Sequence, residues 1–393
     1  MSIASNVKKI SIILLAVFVI LFALSAPYST HNIDKLAYVI ALGLDVGQND
    51  KLRLTIQLSK PEGSSGGSSG ISYTNIIDTV ECSSIDSVIS LFNSYISRRL
   101  NLSHCKVIVI SANLAATQGV SDYIYTLLNN VEMSPHASII VSKTPADEFL
   151  NSSQPELEDL ASRYYEVSLA SNKYTGYTSN VSLIRFFSDC VDTFTNPVAI
   201  LGSIGDMPIK SNDNIENMGL AIFKNDKLVG ELSAQETIWH MIVSNQLKSC
   251  TISIPDPLGD TESIDLNLKL DCVPKKSVNL INGTPHISCK IKIKAQILSA
   301  TQQSTSNETN YYKKENLRLI ETTCNEYLEK NIKDYLYKTA KTYNSDIDGF
   351  GKYAVKYFST TQAWEEYNWL DNYHNSIFNV EVDSTIKSGY SFL

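Results

Sequence analysis

The sequence predicts an α+β protein: an N-terminal membrane helix followed by two or three mixed α/β domains with largely antiparallel sheets flanked by helices. Three observations carry that expectation. A charge-free, almost wholly apolar stretch, broken only by Ser11 and Ser25, spans residues 10–26 behind Lys8-Lys9. Strictly alternating apolar and polar runs recur along the body, and a period of two marks half-buried strands. Helix-spaced apolar stripes lie between those runs, so strands and helices must share layered cores.

At 1.5 Å per residue the 10–26 stretch makes a helix of about 26 Å, close to the ~30 Å hydrocarbon core of a bilayer. The basic flank places everything after it outside the cytoplasm. Ala23-Leu24-Ser25 offers a small-residue cleavage pattern, but Pro27 close behind hinders a peptidase, which favours an anchor over a cleaved signal peptide. Residues 1–31 therefore read as a membrane anchor or signal segment. Residues 32–205 read as an N-terminal mixed α/β domain open to further subdivision, and residues 206–393 as a C-terminal α/β domain.

Along the first domain, residues 36–46 form a strand-like run. Leu52, Leu54, Ile56 and Leu58 alternate with Arg53, Thr55 and Gln57 after a turn at residues 47–50. Residues 63–70 are all Gly and Ser, the composition of a flexible loop. Ile85, Val88, Ile89, Phe92, Tyr95 and Ile96 fall at helical spacing behind a Ser83…Asp86 start signal. Strands are expected at 106–110 and 137–141, and helices at 121–130, 146–150, 157–165 and 181–193. The polar, turn-rich residues 202–217 mark a domain boundary.

In the second domain a hairpin turns at Asn225-Asp226 between runs 220–224 and 227–232. Ser233-Ala234-Gln235-Glu236 is a capping box, in which the Ser oxygen and the Glu carboxylate satisfy free backbone donors as a helix begins. Ile264, Leu266, Leu268 and Leu270, then Ile287, Cys289, Ile291, Ile293, Ala295 and Ile297, predict two strands. The longest helix lies between Tyr312 and Tyr343, with Leu317, Ile320, Cys324, Leu328, Ile332 and Leu336 on one stripe. Phe378, Val380 and Val382 give a closing strand.

Composition narrows the function. Of 393 residues, 43% are hydrophobic and 19% charged, enough for a real core. Lys+Arg number 33 against 41 Asp+Glu, and a net charge of −8 argues against a nucleic-acid partner. Seven scattered cysteines, without a C-x-x-C pair, fit neither a disulfide scaffold nor a zinc site and read as small buried hydrophobes.

The search for chemistry assigns no catalytic, cofactor-binding or metal-ligating residue. Gly66-Gly67-Ser68-Ser69-Gly70 matches a nucleophile elbow only formally, because that motif needs a strand before it and a helix after it. None of the six histidines has metal-ligand spacing. His286 and Cys289 face opposite sides of a predicted strand, and His104 beside Arg98 and Arg99 reads as an ordinary satisfied histidine. Asp346-Ile347-Asp348-Gly349-Phe350-Gly351 lacks the other oxygen ligands of a calcium loop and reads as a turn ending the long helix. Matches to the N-glycosylation acceptor, such as Asn101-Leu102-Ser103, arise by chance in a Ser/Asn-rich chain. The residues describe an exported, tethered, non-catalytic protein that uses no cofactor.

Residues 219–233, with Glu236-Thr237, resemble the signature stretch of the Ger(x)C family, the C subunits of bacterial spore nutrient germinant receptors. Three other passages are similar to that family in order and spacing: Ile33-Asp34-Lys35-Leu36-Ala37 leading to Ala41-Leu42-Gly43-Leu44-Asp45; Ser97-Arg98-Arg99-Leu100 with Ser103-His104; and residues 346–351 with Trp364 and Trp369. The resemblance implies a subunit on the extracytoplasmic face of the spore inner membrane. There it would act with a polytopic A-type subunit and a transporter-like B-type subunit, in a complex that senses nutrients and triggers germination. It implies no enzymatic activity. The family is usually lipid-modified on a Cys near the position of Pro27, whereas this chain has no Cys before Cys82; the 10–26 helix would replace the lipid. Two other classes are weaker: a membrane-tethered small-ligand (amino-acid) binding protein, and an exported hydrolase.

Overall fold

The computed structural model describes residues 12–19, 36–62, 72–152, 161–170, 172–205, 215–300 and 310–386. Residues 12–19 are helical and exposed. The rest of the predicted membrane segment and the 63–70 loop lie outside the described residues. Among the described residues no helix is long and apolar enough to cross a membrane.

A nine-stranded sheet is built from β1 (Leu36–Val46), β2 (Leu52–Glu62), β3 (Ser72–Cys82), β4 (Arg99–Asn101), β5 (Val107–Ser111), β6 (Ser138–Ser142), β7 (Val198–Ile204), β8 (Ile215–Lys224) and β9 (Lys227–Leu232). Its order is β3-β2-β1-β5-β6-β7-β8-β9, with the short β4 also on β1. The expected β1–β2 hairpin is present, with Leu44 opposite Leu54. The centre departs from the largely antiparallel expectation, because β1, β5, β6 and β7 run parallel. The reason is visible in β5 and β6. Both are buried at every position, and a strand covered on both faces needs helical crossovers, which make neighbours parallel. Accordingly Ile108, Ile110, Ile139 and Val141 pack on one face with Leu114, Ile124, Leu127 and Phe186. Val107, Val109 and Ile140 pack on the other with Phe149, Leu150 and Tyr165.

The segment expected to be an irregular boundary is partly strand: β7 runs to Ile204 and β8 begins at Ile215. β8 then pairs antiparallel with β7, Ala199 opposite Ala221, so the β8–β9 hairpin extends the first sheet. β3, β4 and β7 had no alternating apolar signature to announce them.

The second sheet contains β10 (Cys250–Pro255), β11 (Ser263–Leu270), β12 (Lys275–Ile281), β13 (Thr284–Ala300) and β14 (Ile377–Ile386). It is antiparallel in the order β10-β11-β13-β12, and β14 adds parallel to β13. The helix Lys314–Tyr337 lays Ile320, Cys324, Leu328, Ile332 and Leu336 on this sheet, all fully buried, as its stripe predicted. The same helix seals the free edge of β14. Glu329, Asn325 and Glu321 accept the backbone N–H groups of Val382, Ser384 and Ile386 at 2.8, 2.9 and 2.8 Å. Four helical residues rise about 6 Å and two strand residues about 6.6 Å, so the two ladders stay in step.

Two glycines of the hairpin explain why it tolerates no side chain there. Gly219 has φ +93°, and a Cβ on it would lie 2.3 Å from the Leu232 carbonyl oxygen. A Cβ on Gly230 would lie 2.0 Å from the ring of Tyr343, whose hydroxyl donates to the Glu231 carbonyl at 2.9 Å. Gly230→Ala is therefore expected to lower stability by about 1–3 kcal/mol, the usual cost of overpacking. In chemical denaturation the loss should shrink when Tyr343→Ala is added; equal losses in both backgrounds would mean that the ring contact is not the cause.

Candidate functional site

Two turns that carry family-like residues, the β8–β9 tip and the one at Asp346, meet the segment just ahead of β7 where the two sheets join. The tip of the β8–β9 hairpin reaches back to the first sheet's helices: Asp226 Oδ2 accepts the Ser121 hydroxyl at 2.9 Å, and the Asp226 carbonyl accepts the N–H of Val120 at 3.1 Å. Asn225, held at φ 57°, donates its N–H to Asn196 Oδ1 at 2.8 Å. Asn196 and Thr195 in turn both donate to the carbonyl oxygen of Asp346, at 2.8 and 3.0 Å. Ser345 Oγ donates to the Phe223 carbonyl at 2.6 Å, which closes the loop of contacts.

Asp346 is fully buried. Its carboxyl accepts the N–H groups of Phe350 (3.1 Å) and Gly351 (2.9 Å) and the indole N–H of Trp369 (2.8 Å). Trp369 stacks on Trp364 with ring centres 6.0 Å apart. Burial pushes the Asp346 carboxyl up to about 6 against the pull of those donors.

Two residues further, Asp348 is bound on three sides. Its Oδ2 accepts the Tyr335 hydroxyl at 2.7 Å, its Oδ1 lies 3.1 Å from His240 Nδ1, and its carbonyl accepts Lys276 Nζ at 2.9 Å. Burial, and then the Asp348 charge, hold the Tyr335 hydroxyl well above its ordinary range. His240 sits on the helix Ala234–Val243, whose start has the predicted capping box: Ser233 Oγ accepts the Glu236 N–H and Glu236 Oε2 accepts the Ser233 N–H. Lys338 adds bonds of 2.7 and 2.8 Å to the same carboxylate. Burial alone would raise Glu236; these donors keep its carboxyl below the usual range.

Next to His240 lies a cavity of about 260 Å³. Its wall includes Asn196, His240, Ser244, Gln246 and Lys276, together with Arg185, which is paired to Asp189 at 2.6 Å. Burial raises the Asp189 carboxyl, and Arg185 opposes that rise.

The other residues considered from sequence do not converge. His104 packs edge-on against Tyr38 at 4.3 Å and meets Ser103 Oγ at 3.0 Å, while Arg99 pairs with Glu132 at 2.7 Å. Cys289 points into the core from β13 and His286 does not, as the strand period requires. Cys82, Cys105, Cys250, Cys289 and Cys324 are buried, whereas Cys272 is exposed. Gly66–Gly70 lies outside the described residues. The residues sequence reasoning missed are His240, Tyr335 and Lys276. His240 is the one polar side chain in the buried run from Ile238 to Val243, and that isolation was a usable signal. Lys276 sits on β12, which nothing in the sequence singled out.

The fold and its seam define a two-sheet mixed α/β protein whose marked motifs serve as internal joints. Residues 29–204 match the family described as Spore germination protein N-terminal domain, and residues 218–389 match Spore germination B3/GerAC like, C-terminal. The chain is 24% identical over 378 residues to the putative spore germination protein YfkR of Bacillus subtilis (strain 168), covering 93% of each. It is 23% identical over 383 residues to spore germination protein KC of the same organism, covering 90% of this chain and 91% of that one. The crystal structure of the GerBC protein has the same fold, with a TM-score of 0.55 at 16% identity over 88% of this chain and 97% of that one. The chain belongs to the GerAC-like family of spore germination proteins, which is not a known family of enzymes.

Two outcomes test the seam. Glu236→Ala should cost about 1–2 kcal/mol in thermal or urea unfolding, the range for a lost helix cap. For Asp346, the folded carboxyl holds its proton up to about pH 6 while the unfolded one releases it near 3.8. Its contribution is therefore fully present below pH 3.8 and falls by about 3 kcal/mol as pH rises through 6. The stability of the wild type minus that of Asp346→Asn, followed by urea unfolding, should decline over that window; a difference independent of pH would contradict the assignment.

Proposed function

We propose that this chain is the non-catalytic C subunit of a nutrient germinant receptor, standing on the extracytoplasmic face of the spore inner membrane. It works there through contacts with polytopic A-type and transporter-like B-type subunits, and the complex as a whole takes the nutrient. The observation that carries this reading is the ordered match of both family domains along residues 29–389. The use of the motifs supports it: residues 219–236 and 346–351 hold the two sheets together with buried or capped side chains, an arrangement suited to a rigid docking body rather than to turnover. Attachment through the apolar stretch 10–26 is part of the proposal, since no Cys precedes Cys82 to accept a lipid.

The test is affinity capture of the full-length chain from detergent-solubilised spore inner membranes. The multi-span subunits should co-purify, and deleting this chain should slow nutrient-triggered germination while leaving spore formation intact. Recovery of the chain alone, trimmed at its N-terminus and released by a salt wash, would overturn both the anchor and the assembly.

A further inference from the structure

The cavity beside His240 carries polar groups that the fold leaves unsatisfied. Three buried atoms from residues of its wall have no hydrogen-bond partner among the described residues: His240 Nε2, Asn196 Nδ2 and Ser244 Oγ. Leaving such groups bare costs folding free energy, so a wall with several of them invites an occupant. Two of the three are held by the bond at their other end. Asn196 Oδ1 accepts the Asn225 N–H, and His240 Nδ1 faces Asp348.

That second bond fixes what Nε2 offers. With Nδ1 donating to Asp348 Oδ1 at 3.1 Å, the ring is the tautomer whose Nε2 presents a lone pair. The Asn196 amide presents donors. So does Lys276, a half-buried ammonium bound to a neutral carbonyl at 2.9 Å and lying 5.2 Å from the centre of the Phe350 ring. The carboxylate of Asp348 is turned inward on Tyr335 and His240, and Asp189 is already paired with Arg185.

We propose that this cavity binds a small hydroxy-monocarboxylate. Its carboxylate would take the donors of Lys276, Asn196 and Ser244, and its hydroxyl would donate to His240 Nε2. An ammonium in place of the hydroxyl would meet carboxylates already engaged, and a phosphate dianion would need more cations than the wall has to spare: Arg185 is paired with Asp189 and Lys352 with Asp192 at 3.9 Å, which leaves Lys276. At about 260 Å³ the site lies just below the usual range of ligand pockets, about 300–1,000 Å³, which restricts it to small molecules. The assignment is independent of the receptor reading, because every group belongs to this chain.

The probes are L-lactate and three near-isosteres or competitors: propionate without the hydroxyl, L-alanine with an ammonium, and inorganic phosphate. Titrated into the purified full-length chain and followed by calorimetry or NMR shifts, lactate should saturate with a dissociation constant of about 1 mM or tighter. It should bind at least about tenfold more tightly than each of the others. Lys276→Gln should weaken lactate by about tenfold or more. Ser244→Ala removes a hydroxyl that has no partner, so it should fold at least as stably as the wild type and still bind lactate more weakly. Equal binding of propionate or alanine, preference for phosphate, unchanged binding in both variants, or no saturation at about ten times the expected constant would each overturn the proposal.

Discussion

A carboxyl group sealed from water must either be fully bonded or keep its proton, and the seam of this molecule is organised around that requirement. Asp346 is reached by backbone donors from its own turn, by an indole from the aromatic cluster, and through its carbonyl by Thr195 and Asn196 just ahead of β7. Those partners belong to separate parts of the chain. Each is in place only when the others are, so the carboxyl reports on the completed junction and not on local structure. Asp348 repeats the theme on the neighbouring side, with Tyr335 and His240 as donors.

The hairpin at the heart of the family signature makes the same point from the other sheet. Through β8 it extends the parallel block by two strands, while its tip caps a helix of the first half and its far strand is clasped by Tyr343 from the second. A segment so used is constrained on every face. Its glycines, its positive-φ Asn225 and its Ser233–Glu236 box each answer a neighbour, which is why a sequence motif can be sharp without marking any chemistry.

Much of this was legible in the sequence where a local rule acts alone. The capping box, the alternating strands β2, β11 and β13, and the apolar stripe of Lys314–Tyr337 announce themselves by period or spacing. The helix start at residue 84 was misread by one position, because Ser83 and Ser84 both suit a cap and only the structure shows Ser84 accepting the Ser87 N–H. What stayed hidden depends on partners remote in the chain. The parallel centre follows from crossovers, β7 and β12 from the register of their neighbours, and the His240–Asp348–Tyr335 contact from three elements brought together across about 100 residues. Asp346 and Asp348 were noticed, but as a turn. Nothing in Asp-Ile-Asp-Gly distinguishes a solvated bend from one folded inward until the aromatic residues around it are placed.

The rungs from Glu321, Asn325 and Glu329 to β14 act as a ruler between two kinds of backbone. Each rung advances one element by four residues and the other by two, in opposite directions. Inserting a single residue between 321 and 329 would swing the later rungs by about 100° around the helix axis and leave their N–H groups bare. Length variation in this lineage should therefore collect in loops and spare this stretch. With the N–H groups of Val382, Ser384 and Ile386 engaged, the strand's outer margin withholds those donors from any stray chain that would pair there.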